Sequence, residues 1–371
     1  MHVTFDEGPL GTGTRFADPV RLIEAHAAAD VLPAFEAIEA ERRAGRWLAG
    51  YVSYEAGYVF SHKLAHLMPA ERDVPLLSFG VFEGPEPKPC SASGAASLTD
   101  LVPRWSAARY ETAFARVQDY ISAGDIYQAN LTFPIDAHVL GTPAELYAAL
   151  AVRQPVRHGA LIELGGPAIL CRSPELFFDI DPSGLIRTRP MKGTAPRGAT
   201  PEADAALRTD LAESEKNRAE NLMIVDLLRN DIGRISQVGS VRVPRLFHVE
   251  TYETLHQMVS DVEGQLRADI GIPEIFEALF PCGSITGAPK IRAMQILAEL
   301  ETGPRGVYCG AVGWIAPNGG MRMGVAIRTL TVRPDGRARL DVGGGVVHDS
   351  TGAGEYEEAL WKARFATLPP G

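Results

Sequence analysis

The residues able to do chemistry gather in a few dense segments. TRPMKGTAPRG, residues 188–198, sets Lys192 between a methionine and a glycine, with Arg189 and Arg197 close by. An amine in such a place is a nucleophile only when neutral, and a free lysine is only about 0.04% neutral at pH 7. A catalytic Lys192 therefore requires a lowered pKa, whereas the bland alternative is a surface lysine in a Pro/Gly loop. RAENLMIVDLLRNDIGRI, residues 218–235, puts Glu220 at the head of an apolar helical run. GGGVVHDSTGAGEYEEA, residues 343–359, puts Glu355 and Glu358 three apart and so on one helix face. Taken alone, carboxylates in these positions read as solvated surface groups. Glu175, in Ser173-Pro174-Glu175, stands at an expected strand end. His256, among Leu255, Met258 and Val259, reads either as a packed core residue or as a member of a site.

The elements that must position these groups follow from periodicity and breakers. Residues 19–43 carry a helical pattern, and the aromatic stretch 47–60 reads as extended. A loop rich in Pro, Ser, Gly and Ala over 83–97 suggests a boundary between an N-terminal lobe, 1–105, and a larger region, 106–371. Beyond it, 107–123 is amphipathic and 160–180 reads as two strands around a turn at Ser173-Pro174. Residues 200–228 form one long helical stretch, with shorter ones over 273–280 and 289–300. Strands are expected over 307–315, 324–332 and 337–347, in a meander closed by a helix over 353–366. Strand groups broken by helices, without a βαβ repeat, point to an α+β fold.

Composition narrows the classes. The 371 residues are 46% hydrophobic and 22% charged, as in a globular protein. No apolar run approaches the roughly 18 residues of a membrane span, and the N-terminus has no signal-peptide pattern. Cys90, Cys171, Cys282 and Cys309 are far apart, without metal-ligand spacing, and a cytoplasmic location is expected. A net charge of −10 disfavours nucleic-acid binding, so an anionic substrate would need positive charge gathered locally. GSITGAPK, residues 283–290, fails as a phosphate loop because Ala288-Pro289 stands where Lys-Ser/Thr is required. Gly11-Thr12-Gly13 lacks the third glycine of a dinucleotide site, and neither zinc nor nucleophile-elbow motifs occur.

Taken in order, TRPMKGTAPRG, RAENLMIVDLLRNDIGRI, ETLHQMVSDVEG (253–264), GSITGAPKIRAM, VAIRTL and GGGVVHDSTGAGEYEEA resemble the chorismate-utilising enzymes over about residues 107–366. That family includes anthranilate synthase component I, aminodeoxychorismate synthase component I, isochorismate synthase and salicylate synthase. FADP (16–19) and GYVSYEAGYVF (50–60) are similar to the short-form aminodeoxychorismate synthases. The resemblance implies an anthranilate synthase component I-like fold, a β-rich core wrapped by helices in two lobes. It also implies Mg²⁺ held by Glu220 and Glu358 with Glu355 as an acidic neighbour, and carboxylate oxygens suit that ion. Asn217 departs from the pattern, since the relatives usually carry an acidic residue there.

By the same resemblance Lys192 is a nucleophile that attacks ring C2 of chorismate, a position where anthranilate synthases carry Ala. Glu175 becomes the acid that protonates the departing C4 hydroxyl, and His256 stands near the ring carboxylate. Arg328 and Tyr308 match residues that hold the enolpyruvyl carboxylate, a task a guanidinium suits. Ser284, Thr194 and Gly343, Gly344 and Gly345 would line the substrate, glycine permitting close backbone approach. Gln128, in DIYQANL, replaces the lysine base of isochorismate and salicylate synthases, which argues against water as the nucleophile. The implied activity is that of aminodeoxychorismate synthase component I, giving 4-amino-4-deoxychorismate for p-aminobenzoate and folate. Ammonia would come from a glutamine amidotransferase subunit, since this chain has no such motif. The alternatives are anthranilate synthase component I and a non-catalytic chorismate- or tryptophan-binding regulatory subunit.

Overall fold

The computed structural model describes residues 1–89, 96–252 and 255–367. The chain opens with β1 (His2–Gly8), β2 (Gly11–Ala17), β3 (Arg21–Ala25), α1 (Val31–Arg43), β4 (Trp47–Val52), β5 (Leu77–Phe82), β6 (Glu86–Pro87) and β7 (Ser97–Pro103). Next come α2 (Ala107–Ser122), β8 (Gln128–Leu140), α3 (Pro143–Arg153), β9 (His158–Glu163), β10 (Ala168–Ser173), β11 (Leu176–Ile180), β12 (Leu185–Thr188) and β13 (Met191–Pro196). After α4 (Pro201–Glu213) and α5 (Glu215–Gly233) lie β14 (Arg242–Thr251), β15 (Leu255–Gln265), α6 (Ile272–Leu279), β16 (Gly287–Ala288) and α7 (Lys290–Leu300). β17 (Ala311–Ile315), β18 (Met321–Val325), β19 (Thr329–Val332), β20 (Arg337–Val346) and α8 (Gly352–Lys362) complete the order.

The strands make two ten-stranded antiparallel sheets. One runs β16-β8-β20-β19-β10-β9-β1-β2-β6, with β7 also on β8; the other runs β13-β15-β12-β11-β18-β17-β4-β5-β3, with β14 also on β15. Val3, Phe5, Phe16 and Ile162 of the first share one buried cluster with Tyr51, Phe82 and Val312 of the second, so the sheets face each other. Phe35, Ile224 and Phe276 from α1, α5 and α6 cover the second sheet at Phe178 and Val262. Tyr110, Leu146, Ile296 and Ala359 from α2, α3, α7 and α8 cover the first at Phe133 and Leu340. The fold is the α+β arrangement expected, a two-sheet sandwich with helices on both outer faces.

Several element boundaries differ from expectation, and the reasons are physical. The strand pair expected over 160–180 is three strands in two sheets. The chain leaves the first sheet at Ser173, crosses at Pro174-Glu175 and enters the second as β11. The single strand expected over 324–332 is also two, β18 in the second sheet and β19 in the first. Arg328 stands between them in left-handed backbone, with φ of 51°. The two crossings run side by side, tied by the bonds from Val325 N to the Glu175 carbonyl at 3.0 Å and from Arg172 N to the Arg328 carbonyl at 3.0 Å. The helix expected over 200–228 divides at Ser214, whose hydroxyl caps α5 by accepting from Asn217 N. Of the stretch 47–60, only β4 is extended, and Tyr54–Phe60 coils into a 3-10 helix. Residues 19–43 begin as β3 before α1 starts.

Residues 1–105 supply strands to both sheets, β1 beside β9 and β4 beside β17. Cys171, Cys282 and Cys309 are buried free thiols; Cys90, Glu253 and Thr254 lie outside the described residues. Among the described residues no helix is long and apolar enough to cross a membrane.

Candidate active site

The two sheet-to-sheet crossings deliver the first pair of groups. Glu175 is buried, and its N–H donates to Ser173 Oγ at 3.2 Å, which fixes the bend after Pro174. Ser284 Oγ donates to Glu175 Oε1 at 2.8 Å from the tight turn Gly283–Ile285. Burial pushes the Glu175 carboxyl above the usual range, against the Ser284 bond and the charges of Lys192 and Arg328. Arg328, partly buried on the neighbouring crossing, is in turn held down by burial and supported by Glu175.

Lys192 comes from β13, and the glycine run of β20 comes to meet it. Gly343, Gly344 and Gly345 pair with Thr132, Leu131 and Asn130 of β8. A Cβ on Gly343 would stand 2.3 Å from the Leu131 carbonyl oxygen, so this pairing needs glycine. A Cβ on Gly345 would stand 2.8 Å from Gln128 Nε2 and 3.4 Å from Lys192 Nζ, which puts amine, amide and bare backbone in one place. Gln128 is buried, and both its amide atoms lack a hydrogen-bond partner. Burial pushes the Lys192 ammonium below the usual lysine range. Glu175, Glu220 and Glu358 oppose that shift and Lys362 adds to it. The arginines of the TRPMKGTAPRG segment form ion pairs with other acidic groups. Arg189 binds Asp261 at 2.8 Å and Glu250 at 3.1 Å, and Arg197 Nε binds Asp204 at 2.8 Å.

The acidic groups come from two helices. Glu220 is partly buried on α5, and α8 presents Glu355 and Glu358. Ser350 Oγ donates to Glu355 Oε1 at 2.7 Å, yet burial, with the charges of Glu358 and Glu220, raises the Glu355 pKa. Burial works the same way on Glu358, but Lys362, 2.9 Å away, together with the charges of Lys192 and Lys216, outweighs it and holds that carboxyl low. Three hard oxygen donors whose charges act on one another suit a small divalent cation such as Mg²⁺. Among the described residues, however, no three carboxylate, imidazole or thiol groups already converge on one point. Asn217 lies against Gly193, 3.0 Å from where a Cβ would be, and φ of 87° there favours glycine next to Lys192.

Lys362 was not among the residues expected. It donates to the Gly343 carbonyl at 2.9 Å and so ties α8 to the glycine run. Its place one helical turn after Glu358 was the available signal.

The remaining expected residues divide. Tyr308 is buried, and burial raises its phenol well above the usual range. Thr194 Oγ1 donates to Gln257 Oε1 at 2.9 Å on the exposed side of β13. His256 makes its side-chain hydrogen bonds to groups other than Lys192 and Glu175. It is buried, with Nε2 2.9 Å from Asp204 Oδ1 and Nδ1 2.9 Å from Thr251 Oγ1. Arg197, and a bond from Gly198 N, hold the Asp204 carboxyl far below the usual range, so it accepts from His256. With Asp204 as the acceptor, the proton between them sits on Nε2.

Residues 85–367 match the family model described as chorismate binding enzyme. The chain belongs to that family. An aminodeoxychorismate synthase of Streptomyces griseus is 45% identical over 280 residues, covering 76% of this chain and 39% of the relative. Aminodeoxychorismate synthase component 1 of Klebsiella aerogenes is 45% identical over 253 residues, covering 68% of this chain and 56% of the relative. The chain thus spans less than two thirds of either curated relative. Among solved structures, anthranilate synthase component I from Streptococcus pneumoniae superposes with a TM-score of 0.79 at 26% identity, over 94% of this chain and 90% of that one. The fold of this chorismate-binding family member is therefore of the anthranilate synthase component I type.

Proposed function

We propose that this chain aminates chorismate as an aminodeoxychorismate synthase component I, replacing the C4 hydroxyl with ammonia and retaining the enolpyruvyl group. The observation that carries the reading is Lys192, an amine whose charge burial disfavours, set against Gly345 and Gln128 and within electrostatic reach of Glu175. The names of the two curated relatives support it.

Neutral Lys192 attacks ring C2, the ring π electrons shift, and the C4–O bond breaks as Glu175 gives its proton to the leaving hydroxyl. Ammonia then bonds to C4, the π electrons shift back, Lys192 leaves C2 with its electron pair restored, and the new C4 ammonium returns a proton to Glu175. Two displacements replace one difficult step. Arg328 and Tyr308 hold the enolpyruvyl carboxylate, and Ser284, Thr194 and the Gly343 to Gly345 backbone frame the rest. Glu220 and Glu358, with Glu355 beside them, would hold Mg²⁺, which when bound offsets the negative charge of the ring carboxylate. His256 acts as a positioning residue, fastening α4 through Asp204 to the sheet that carries Lys192. Ammonia comes from a separate glutamine amidotransferase subunit, and the reaction runs in the cytoplasm.

The test is mass spectrometry of the products from chorismate, Mg²⁺ and an ammonium salt, for wild type and Lys192→Ala. An aminated product retaining the enolpyruvyl group, lost or sharply reduced in Lys192→Ala, is expected. Anthranilate plus pyruvate from the wild type would replace this reading with the anthranilate synthase one. Absence of turnover with metal bound would point instead to a binding subunit.

A further inference from the structure

GYVSYEAGYVF lies outside the residues matched to the family and carries one carboxylate in an otherwise apolar, aromatic stretch. That residue, Glu55, is 1% exposed on the 3-10 segment Tyr54–Phe60. A buried carboxylate must find donors, and Glu55 finds them about 250 residues away. Oε1 accepts from Arg305 N at 2.7 Å and Oε2 from Gly306 N at 3.1 Å. The adjacent Tyr54 N donates to the Gly306 carbonyl at 2.8 Å, and the Tyr54 ring lies under the Arg305 guanidinium at 4.4 Å. Gly306 has φ of 63°, so the clamped turn is one that glycine adopts freely. Two residues further on is Tyr308.

Arg305 extends the clamp. Its side chain, 4% exposed, is ion-paired with Glu301 at 2.7 Å. It donates to the Ile285 carbonyl at 3.1 Å and to the Asn130 carbonyl at 2.7 Å. Ile285 follows Ser284, the residue that binds Glu175, and Asn130 is the partner of Gly345 on β8. Glu301 also accepts from Thr132 N and Oγ1, both at 2.9 Å, opposite Gly343. One buried arginine therefore touches two segments that carry site residues, the Ser284 turn and β8, and one N-terminal carboxylate fixes that arginine's backbone.

We propose that Glu55 is a positioning residue for the substrate site, acting through the Arg305-Gly306 backbone on Tyr308 and through the Arg305 side chain on the Ser284 turn and the glycine run. The proposal rests on the reading of Tyr308 as a ligand of the substrate carboxylate. Glu55 touches no substrate and does no chemistry; it sets the distance between groups that do.

The test compares wild type, Glu55→Gln, Tyr308→Phe and the double variant at pH 8, above the Glu55 pKa of about 7, with chorismate titrated at saturating ammonium and Mg²⁺. Gln keeps one acceptor but turns an N–H₂ toward the second amide, so loss of one charge-assisted bond is expected to raise KM about tenfold. The kcat should stay within about twofold, and the KM effect should shrink when Tyr308 is already Phe. A lower active fraction with unchanged KM, or KM effects that simply multiply, overturns the proposal. Should Glu55→Gln not fold, Glu55→Asp, which keeps the charge but shortens the reach, is read in the same way. Hydrogen exchange of the peptide spanning residues 301–310 supplies a readout independent of turnover. If the wild type yields no aminated product, the functional reading fails, and the clamp is judged on exchange alone. Faster exchange at residues 305 and 306 in Glu55→Gln supports it, and unchanged exchange overturns it.

Discussion

Glu175 and Lys192 act on each other's charge while the proposed chemistry asks each for its neutral form. Burial pushes both that way, raising the carboxyl and lowering the ammonium. Ser284 works against the acid, because its hydroxyl bond favours the carboxylate. Ser284→Ala should therefore raise the Glu175 pKa further and move the alkaline limb of the kcat/KM profile upward. It should also lower kcat by about tenfold through loss of orientation. A pH–rate profile at constant free ammonia checks both, and a downward-shifted limb would remove Glu175 as the acid. At this scale the segments themselves were legible, since Lys192 and Glu358 stand in dense, unusual runs, while the roles given to them came from the resemblance. What spacing could not reveal was the company each residue keeps. Asp204 reaches His256 and Glu55 reaches Arg305 across long stretches of chain, and no local pattern encodes such meetings.

Among the elements, the ladder between β8 and β20 separates two roles that glycine plays in one run. At Gly343 the added Cβ would meet backbone, the Leu131 carbonyl oxygen at 2.3 Å and Thr132 Cα at 2.8 Å. Gly343→Ala must push the strands apart and should destabilise the protein by roughly 2 kcal/mol or more. At Gly345 the Cβ would meet side chains instead, Gln128 Nε2 at 2.8 Å and Lys192 Nζ at 3.4 Å. Gly345→Ala should leave the urea midpoint nearly unchanged while lowering kcat/KM at least about tenfold, because it displaces groups that form the site. Urea titration beside product assays distinguishes the two; equal stability losses would contradict the division. Elements were legible where hydrophobic period and breakers agreed, as in α2 and β20. They were obscured where a strand-like pattern continued while the chain changed sheets. Ile327, Arg328 and Thr329 look like one strand, and only the left-handed backbone at Arg328 shows the break.

On the scale of the whole molecule, the sheets pass through the boundary suggested near residue 105. Composition marks the loop but is silent about which strands will pair across it, as β1 does with β9 and β4 with β17. Glu55 lies on the N-terminal side and carries an electrostatic cost that the entire fold bears. Burial raises its pKa from 4.5 to about 7, so between those values the folded protein holds a proton that the unfolded chain has released. Its contribution to stability is full below pH 4.5 and is lost as pH rises to 7, by about 3 kcal/mol. Unfolding by urea at pH 5 and pH 8 should show this loss in wild type and a flatter dependence in Glu55→Gln. Parallel dependences would mean that Glu55 does not titrate in this window.

The partnership of β8 with β20 has one more consequence, and it concerns time. Asn130 must wait for Gly345, roughly two hundred residues later, before the wall behind Lys192 exists. During synthesis at about 5–20 residues per second, β8 therefore spends some 10–40 s without that neighbour. Its core-facing residues Leu131, Phe133 and Ile135 must meanwhile be sheltered by other contacts or by a chaperone. Assembly of the site is a late event in folding, and slow translation between β8 and β20 should increase misfolding before it reduces the activity of molecules that finish.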